Sequence, residues 1–200
     1  MNTTGFNYRV LVVDDDPAVL EISALVLKDG GFEVRKASDG FEALVELRRS
    51  APDVIISDLR LPNMSGFELL SVVRRRFPHI PVIAISGEYA GESPAGLIAD
   101  AFFAKGQYRP EELFHKIAEL LEQSPVRPQL ARPDRAPVWV PRSQQGYLVV
   151  TCTECLRSFS VPEEEIDEQS EVRRTTCLFC GTTVRYLADL KTIQKKRKTG

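Results

Sequence analysis

Three aspartates in the first sixty residues have the types and positions that metal or nucleophilic chemistry needs. Asp58 ends the run Asp53-Val-Ile-Ile-Ser-Asp58, in which residues suited to a buried strand lead to an ionisable side chain. Asp14 and Asp15 follow a second apolar run, residues 10–13. A lone aspartate after a strand is commonly a turn former or a helix cap. Because ligands of α/β sheets bind at the carboxyl ends of the strands, three carboxylates there predict a functional site.

Carboxylates brought within a few ångströms of one another raise one another's pKa, because like charges disfavour ionisation. A hard divalent cation bound by the carboxylate oxygens neutralises this repulsion. Mg²⁺ takes few carboxylates and keeps several water ligands, so it suits a cluster of Asp14, Asp15 and Asp58. The residue types therefore predict a magnesium site.

The elements that must position these acids alternate apolar runs with amphipathic segments. The pattern predicts strands at 8–13, 32–37, 53–57, 81–85 and 102–104, and helices at 17–28, 39–49, 67–77 and 111–123. Asp39 is placed to cap the second helix, and Asp16 precedes the first. Strands separated by helices imply a doubly wound α/β fold, with a five-stranded parallel sheet and helices on both faces.

Two segments of this first half lack a clear pattern. The arginines at 74–76 are interpreted as the solvated end of the third helix, where positive charge suits the helix dipole. Residues 87–96 are rich in helix breakers, which predicts a short or irregular helix before the fifth strand.

The acidic cluster and the residues that follow the later strands resemble the receiver domain of two-component response regulators. The resemblance covers residues 8–122 and rests on Asp14, Asp15, Asp58, Leu61-Pro62, Gly66, Ser86 after the fourth strand and Lys105 after the fifth. It implies a flavodoxin-like receiver that accepts a phosphoryl group from the histidine of a sensor kinase. Such a chain is a phosphoacceptor that assists its own phosphotransfer and dephosphorylation, not a turnover enzyme.

The resemblance also implies a role for each matching residue. Asp58 is the nucleophile, and it binds Mg²⁺ together with Asp15 and the backbone carbonyl of Arg60, whereas Asp14 acts through water. Lys105 neutralises developing charge. Ser86 donates its hydroxyl to the transferred phosphoryl group, and Phe102 rotates inward as the switch aromatic; ordinary core packing is the alternative for Phe102.

Two departures from the family pattern support an alternative. Gly106 follows Lys105 where the family usually has proline, and the segment from Ser86 to Lys105 is a few residues short. In this alternative the receiver is a docking domain that phosphorylation barely alters. A phosphatase of the haloacid dehalogenase type, with Asp14 and Asp16 as its Asp-x-Asp pair, is disfavoured because Pro17 follows directly and no cap domain is available.

Composition separates the chain into two halves of opposite charge. Residues 1–123 hold 13 Lys/Arg against 19 Asp/Glu, and residues 124–200 hold 13 against 9. With 43% hydrophobic residues the chain is globular, and it lacks an apolar stretch of the ~18 residues that a membrane span needs. Its first residues lack the features of a signal peptide, so the sequence predicts a cytoplasmic protein without membrane insertion.

Four cysteines in the second half have the spacing of a zinc site. Cys152, Cys155, Cys177 and Cys180 form the pattern Cys-x₂-Cys-x₂₁-Cys-x₂-Cys. Each pair can chelate from one turn, and four filled positions favour a structural Zn²⁺ over a catalytic one. With the short strands expected at 149–150, 159–161 and 183–186, the segment resembles a small bacterial zinc ribbon. A redox dithiol is the alternative.

These observations predict four segments along the chain. They are a receiver at 6–123, a Pro/Arg-rich semi-extended linker at 124–146, a zinc ribbon at 147–188 and a basic tail at 189–200. Trp139 is interpreted as a linker aromatic lying on a nearby surface. The expected partners are a sensor histidine kinase and an output partner of the ribbon. The output partner is expected to be a protein slightly more than DNA. In a further alternative, the ribbon and the basic tail bind DNA.

Overall fold

The chain divides into two compact units, Met1–Leu130 and Ala131–Gly200. We describe them separately from a computed structural model, for residues 8–87, 98–123, 138–140, 146–162 and 172–188. Within these ranges no helix has the length and apolar character to cross a bilayer.

The first unit is built on a five-stranded parallel sheet with strand order β2-β1-β3-β4-β5. Its strands are β1 (Arg9–Val13), β2 (Glu33–Ala37), β3 (Val54–Asp58), β4 (Val82–Ser86) and β5 (Ala101–Ala104). Every residue of β3 and β4 is buried, as expected for central strands covered on both faces. The predicted doubly wound α/β fold is confirmed.

Among the described residues of this unit, four helices cover the two faces of the sheet. They are α1 (Pro17–Asp29), α2 (Gly40–Arg49), α3 (Gly66–Arg76) and α4 (Pro110–Gln123). On one face, apolar side chains of α1 and α4, such as Leu27 and Ile117, pack against alternate residues of the central strands, such as Ile56 of β3. The five predicted strands and the four predicted long helices of this half are present, with ends shifted by at most one residue.

Side-chain caps fix where three of the helices begin. Asp16 accepts from Ala18 N at 2.8 Å, and Asp39 accepts from Glu42 N at 2.8 Å, as predicted for Asp39. Ser65 and Glu68 form a reciprocal capping box at α3. Because α1 and α3 begin soon after β1 and β3, these caps also fix the chain directly after the strands that carry the acids.

Arg74 differs from the prediction of a solvated helix end. Its Nε donates to Ile98 O at 2.9 Å, its Nη1 donates to Ile80 O at 3.2 Å, and its Nη2 pairs with the carboxylate of Asp100. Asp100 in turn accepts from Val82 N at 2.7 Å. The guanidinium therefore ties the start of β5 to α3 and β4. The expected short helix before β5 falls largely on residues 88–97, outside the described residues.

The described part of the second unit contains two small sheets. Antiparallel strands β7 (Tyr147–Thr151) and β8 (Ser158–Pro162) form one. The other has the order β6-β10-β9, from β6 (Val138–Val140), β9 (Val172–Thr176) and β10 (Thr183–Ala188). The strands expected near 149–150, 159–161 and 183–186 are confirmed.

Two strands of this unit were not predicted. β6 lies inside the expected linker and pairs in parallel with β10, with the backbone of Trp139 opposite Leu187. Three residues are too short a run to give a periodic signal. β9 has the polar sequence Val-Arg-Arg-Thr-Thr, and its antiparallel pairing with β10, rather than any apolar alternation of its own, holds it as a strand.

Candidate functional site

The carboxyl ends of four neighbouring strands bring the predicted site residues of the first unit to one edge of the sheet. Asp14 and Asp15 follow β1, Asp58 is the last residue of β3, Ser86 is the last residue of β4, and Lys105 follows β5. The strand register pairs Asp58 with Ile85 and Ser86 with Ala104, so the strand ends are level with one another. This is the edge at which ligands of such sheets bind.

The three aspartates form one cluster. A carboxylate oxygen from each of Asp14, Asp15 and Asp58 lies within 4.8 Å of the others. Asp14 and Asp58 are 4% and 6% exposed, whereas Asp15 is open to solvent. Two charged carboxylates this close and this buried need a cation beside them.

Lys105 supplies a cation to both buried acids. Its Nζ lies 2.6 Å from Asp58 Oδ2 and 2.8 Å from Asp14 Oδ2. Burial raises the pKa of Asp14, and hydrogen bonds from Lys105 and from Asp16 N only partly oppose that rise. Burial by itself would lower the pKa of Lys105, but its two carboxylate partners outweigh burial and raise it. Lys105 therefore stays protonated at neutral pH.

The loop after β3 is wound tightly around Asp58. Asp58 Oδ1 accepts from Arg60 N at 3.1 Å, and Asn63 adopts a positive φ of 64°. Gly66 donates from its backbone N to Leu59 O at 3.1 Å. A Cβ at Gly66 would lie 2.2 Å from the backbone oxygen of Asp58, so only glycine fits there. This close approach fixes the backbone on which Asp58 and Arg60 are carried.

Ser86 lies on β4, the strand beside Asp58, and Phe102 lies on β5, one strand further out. Ser86 is fully buried, and its backbone oxygen accepts from Lys105 N at 2.9 Å. Phe102 of β5 is paired with Ala84 of β4, and it is only partly buried. The structure thus brings Ser86 next to Lys105, and it places Phe102 on the outer strand of the sheet, three residues before Lys105.

The donor set fits a magnesium ion. Three carboxylates and one ammonium leave a formal charge of −2, which one divalent cation neutralises. The donors are hard oxygen atoms, and the exposure of Asp15 leaves one side of the cluster open to water ligands. Mg²⁺ binds through few carboxylates and keeps several waters, so it matches this arrangement.

Comparison with known proteins agrees with this geometry. Residues 10–117 match the response regulator receiver domain family. The chain belongs to this family. The family and the fold predicted from the sequence are thereby confirmed.

Among curated proteins, the receiver is similar to parts of longer transcriptional regulators. It is 36% identical over 125 residues to the probable transcriptional regulatory protein TcrX of Mycobacterium tuberculosis, covering 61% of this chain and 53% of TcrX. It is 34% identical over 121 residues to the transcriptional regulatory protein GlrR of Escherichia coli K12, covering 58% of this chain and 27% of GlrR. The chain spans about half or less of the length of these relatives.

Solved receiver structures match over nearly their whole length. The chemotaxis response regulator CheY4 of Vibrio cholerae has a TM-score of 0.52 and 31% identity, covering 57% of this chain and 99% of CheY4. A response regulator receiver domain protein of Clostridium thermocellum has a TM-score of 0.54 and 25% identity, covering 60% and 98%. Both structures match the receiver part of this chain and not the second unit.

The four cysteines of the second unit form a separate cluster. Their sulfur atoms all lie within 4.8 Å of one another, with Cys152 and Cys180 at 3.6 Å and Cys155 and Cys177 at 3.7 Å. Tetrahedral Zn–S bonds of about 2.3 Å give sulfur–sulfur distances of about 3.8 Å. The cluster is therefore of the size that a four-cysteine zinc site requires, which is consistent with a zinc-ribbon-like module.

The turn after Cys152 and the turn after Cys177 have the same backbone hydrogen bond and conformation. Leu156 N donates to Cys152 O at 2.8 Å, and Gly181 N donates to Cys177 O at 3.0 Å. Leu156 and Gly181 both adopt a positive φ, of 55° and 72°. The first turn lacks the glycine that such turns favour. Leu156 takes the left-handed conformation instead, and its side chain is buried at 4% exposure.

The thiols of the cluster differ in their environments. Burial raises the pKa of Cys152 to about 12. Hydrogen bonding with Thr182, at 3.5 Å between Sγ and Oγ1, lowers the pKa of the exposed Cys180 to about 6. Because zinc binds cysteine as thiolate, a zinc ion held by these sulfurs would displace the proton of Cys152.

The structure also shows a cavity beside the acidic site that the sequence did not predict. It has a volume of 230 Å³ and reaches from Asp58 and Lys105 to α1 and to Tyr108, which precedes α4. Ile22 of α1 lines it while remaining 62% exposed. Ile22 lies off the buried face of α1, but so does Leu25, which does not line the cavity, so an apolar residue at such a position does not by itself mark the cavity.

Proposed function

We propose that this chain is the phosphoacceptor of a two-component relay and that Asp58 takes a phosphoryl group from the histidine of a sensor kinase. The observation that carries the proposal is the double contact of Lys105 Nζ with Asp58 and Asp14, at 2.6 and 2.8 Å. A lysine held between two buried acids at the end of the strands is positioned to neutralise the additional negative charge of a phosphoryl group. Phosphoryl transfer depends on such positioning and electrostatic stabilisation.

Mg²⁺ would be held by Asp14, Asp15, Asp58 and the backbone carbonyl of Arg60. When bound, it neutralises charge on the phosphoryl oxygens as that charge develops. Asp58 Oδ attacks phosphorus and forms the aspartyl phosphate, while Lys105 moves its hydrogen bond from the carboxylate to a phosphoryl oxygen.

The remaining residues serve the state formed after transfer. Ser86 donates its hydroxyl to a phosphoryl oxygen, and the space that it leaves admits Phe102 from the neighbouring strand. The charge change at Asp58 is thereby converted into a change of one face of the receiver. The product is the phosphorylated protein itself, so the chain acts as a switch and not as a turnover enzyme.

The second unit would serve as the output or docking module, folded around a structural Zn²⁺. Four free cysteines suit a reducing compartment, and we place the protein in the cytoplasm. A protein is the favoured partner of this module. DNA is a second candidate, because the described part of the unit carries four arginines (Arg157, Arg173, Arg174 and Arg185) against one acid, Glu154.

Labelling with a phosphohistidine donor or with acetyl phosphate tests the first half of the proposal. In the presence of Mg²⁺ the wild-type chain is labelled and Asp58→Ala is not; equal labelling of the two proteins would contradict the assignment. Partner binding by the second unit, measured with and without phosphorylation, separates a switch from a constitutive docking protein, which would bind equally in both states.

A further inference from the structure

We infer that β9 is a docking edge for an extended acidic segment of a partner protein, which adds to the sheet as a further strand. In this arrangement one carboxylate of the segment pairs with Arg173 and the next with Arg174. The inference rests on one half of the proposed function, the docking role of the second unit, and names the strand and the chemistry of the partner. It does not depend on phosphorylation at Asp58.

Arg173 is a buried cation whose hydrogen-bonding groups are not used by the described part of the chain. It is 9% exposed, and it is paired across the strands with Tyr186 of β10, which is 3% exposed. Nε and Nη1 of its guanidinium are buried, and neither has a hydrogen-bond partner among the described residues. A cation taken out of water without an anion beside it destabilises a fold. An anionic ligand gains most at such a group, because the cation is already desolvated before the ligand binds.

The described part of the second unit offers no acid on this sheet. It holds one acidic residue, Glu154, which lies in the first cysteine turn and not on β6, β9 or β10. The sheet carries three arginines, and two of them, Arg174 and Arg185, are paired directly across the strands. Like charges opposite each other in neighbouring strands repel. An acidic partner would neutralise both the buried cation and this cross-strand pair.

β9 lies at an edge of its sheet. Among the described residues it pairs with β10 alone, at one end of the order β6-β10-β9. The hydrogen bond from Cys177 N to Thr182 O, at 2.9 Å, continues this pairing beyond the strands. Because bonded residues alternate along an antiparallel pair, Arg173 bonds to β10, whereas Arg174 and Thr176 direct their backbone N–H and C=O groups away from β10. An extended peptide can form main-chain hydrogen bonds with groups of this kind.

The alternation of side chains along a strand determines which acids would reach the two arginines. Successive side chains point to opposite faces of a sheet, so the buried Arg173 and the exposed Arg174 lie on different faces. In a strand added beside β9, the residue opposite each arginine lies on the same face, with Cβ atoms about 5 Å apart. Two consecutive acids in the added strand therefore reach both arginines. The expected recognition element is a pair of adjacent Asp or Glu residues in an extended segment.

The burial of Arg173 favours a protein over a nucleic acid as the partner. The phosphates of a nucleic acid are part of a bulky backbone, and exposed cations are the groups suited to contact them. A carboxylate stands at the end of a short side chain and can enter beside a guanidinium that is 9% exposed. Arginine and a carboxylate also form paired hydrogen bonds of defined geometry, which makes the contact specific.

The test is a selection from a displayed library of random peptides, using the full chain with Zn²⁺ before and after treatment with acetyl phosphate and Mg²⁺. We expect the selected sequences to contain adjacent Asp or Glu residues. Arg173→Met should weaken the binding of a selected peptide at least about tenfold. Arg157→Met removes an exposed arginine of the same unit that lies outside β9, and it should change the binding less than about twofold.

The stability of the free protein gives a second readout that needs no ligand. Because the guanidinium is buried without an anion, Arg173→Met should raise the thermal midpoint of the second unit by about 4 °C or more. Release of zinc to a chromogenic chelator follows this unit separately from the receiver. A lower or unchanged midpoint would overturn the inference, since Arg173 would then already be paired within the chain, for example with an acid of residues 163–171.

Methylation of backbone amides in a selected peptide tests the addition of a strand. Alternate amides of a strand face opposite edges. Methylating one alternate set should therefore abolish binding, whereas methylating the other set should be tolerated. Equal tolerance of both sets would overturn the added strand.

The remaining outcomes identify the partner. Selection of no peptide, or of peptides without adjacent acids, overturns the inference. If an oligonucleotide is then retained by the wild-type chain and not by Arg173→Met, the surface belongs to nucleic acid. Labelling of Asp58 is measured separately, so a failure of the docking edge leaves the phosphoacceptor assignment standing, and a failure of labelling leaves the docking edge standing.

Discussion

Lys105 Nζ donates to Asp58 Oδ2 across 2.6 Å, although 47 residues separate them in sequence. The same ammonium lies 2.8 Å from Asp14. Two adjacent buried carboxylates are tolerated because one cation serves both of them. In the metal-free protein, Lys105 is therefore a structural residue as well as a proposed functional one.

Lys105→Met should destabilise the metal-free protein by about 1–3 kcal/mol, because the buried carboxylates lose their counter-charge. Mg²⁺ should restore part of the loss, since a divalent cation takes over the neutralisation. Urea unfolding with and without Mg²⁺ measures both effects. Lys116→Met, which breaks an ion pair with Glu119 in α4, is the control and should cost less than about 1 kcal/mol. Equal losses in the two variants would contradict this account.

Gly66→Ala should cost about 2–3 kcal/mol and slow phosphorylation, because the added methyl overlaps the backbone of Asp58 and Leu59. The contacts would be 2.2 and 2.6 Å, and no flexible side chain is available to move. Gly87→Ala is the matched control, since its added Cβ would come no closer than 3.9 Å to Lys105 Cβ. Thermal unfolding and the labelling rate are the measurements. A Gly66→Ala protein as stable as Gly87→Ala would show that the loop after β3 is looser than described.

Asp53 should make the stability of the receiver depend on pH. It accepts from Arg9 N at 2.8 Å and pairs with the Arg9 guanidinium at 3.1 Å, joining the starts of β3 and β1. Burial raises the pKa of Asp53, but the hydrogen bonds from Arg9 together lower it below its ordinary value. Since the folded pKa lies below the unfolded one, the stabilisation is present above ~pH 4 and is lost as the pH falls further.

Asp53→Asn should therefore cost about 1 kcal/mol at pH 7, a typical value for a partly exposed pair with a backbone hydrogen bond. The difference from wild type should shrink as the pH falls below about 4. Urea unfolding of both proteins across this range is the measurement. A constant difference at every pH would mean that the contribution of Asp53 is not electrostatic.

The second unit should contain about one equivalent of zinc and lose its structure when a chelator removes the metal. Cys177→Ser should lower the zinc content, whereas Thr176→Ser, a change at the exposed neighbouring residue, should not. Metal analysis of the reduced protein and circular dichroism with and without chelator measure these effects. Less than about half an equivalent of zinc in the wild-type chain would count against the site.

The sequence predicted the receiver well because its signals are local. Runs of mainly apolar residues identified β3 and β4, amphipathic segments identified the helices, and the cap at Asp39 marked the start of α2. The acids could be assigned to one edge because strand ends in a parallel sheet meet there.

What the sequence missed depends on contacts between distant residues. β9 has no strand pattern of its own and exists by pairing with β10. Arg74 was interpreted as solvated because nothing in the sequence reveals its contacts with Ile98 and Asp100. The cavity between α1 and Tyr108 arises from the packing of elements 86 residues apart, from Ile22 to Tyr108.

The most direct test of the account is to locate the phosphoryl group by tandem mass spectrometry of peptides, after reaction with acetyl phosphate and Mg²⁺. The account predicts one phosphorylated peptide, modified at Asp58, and no modification of Asp58→Asn under the same conditions. Modification at another residue of the wild-type chain, or undiminished modification of Asp58→Asn, would contradict it.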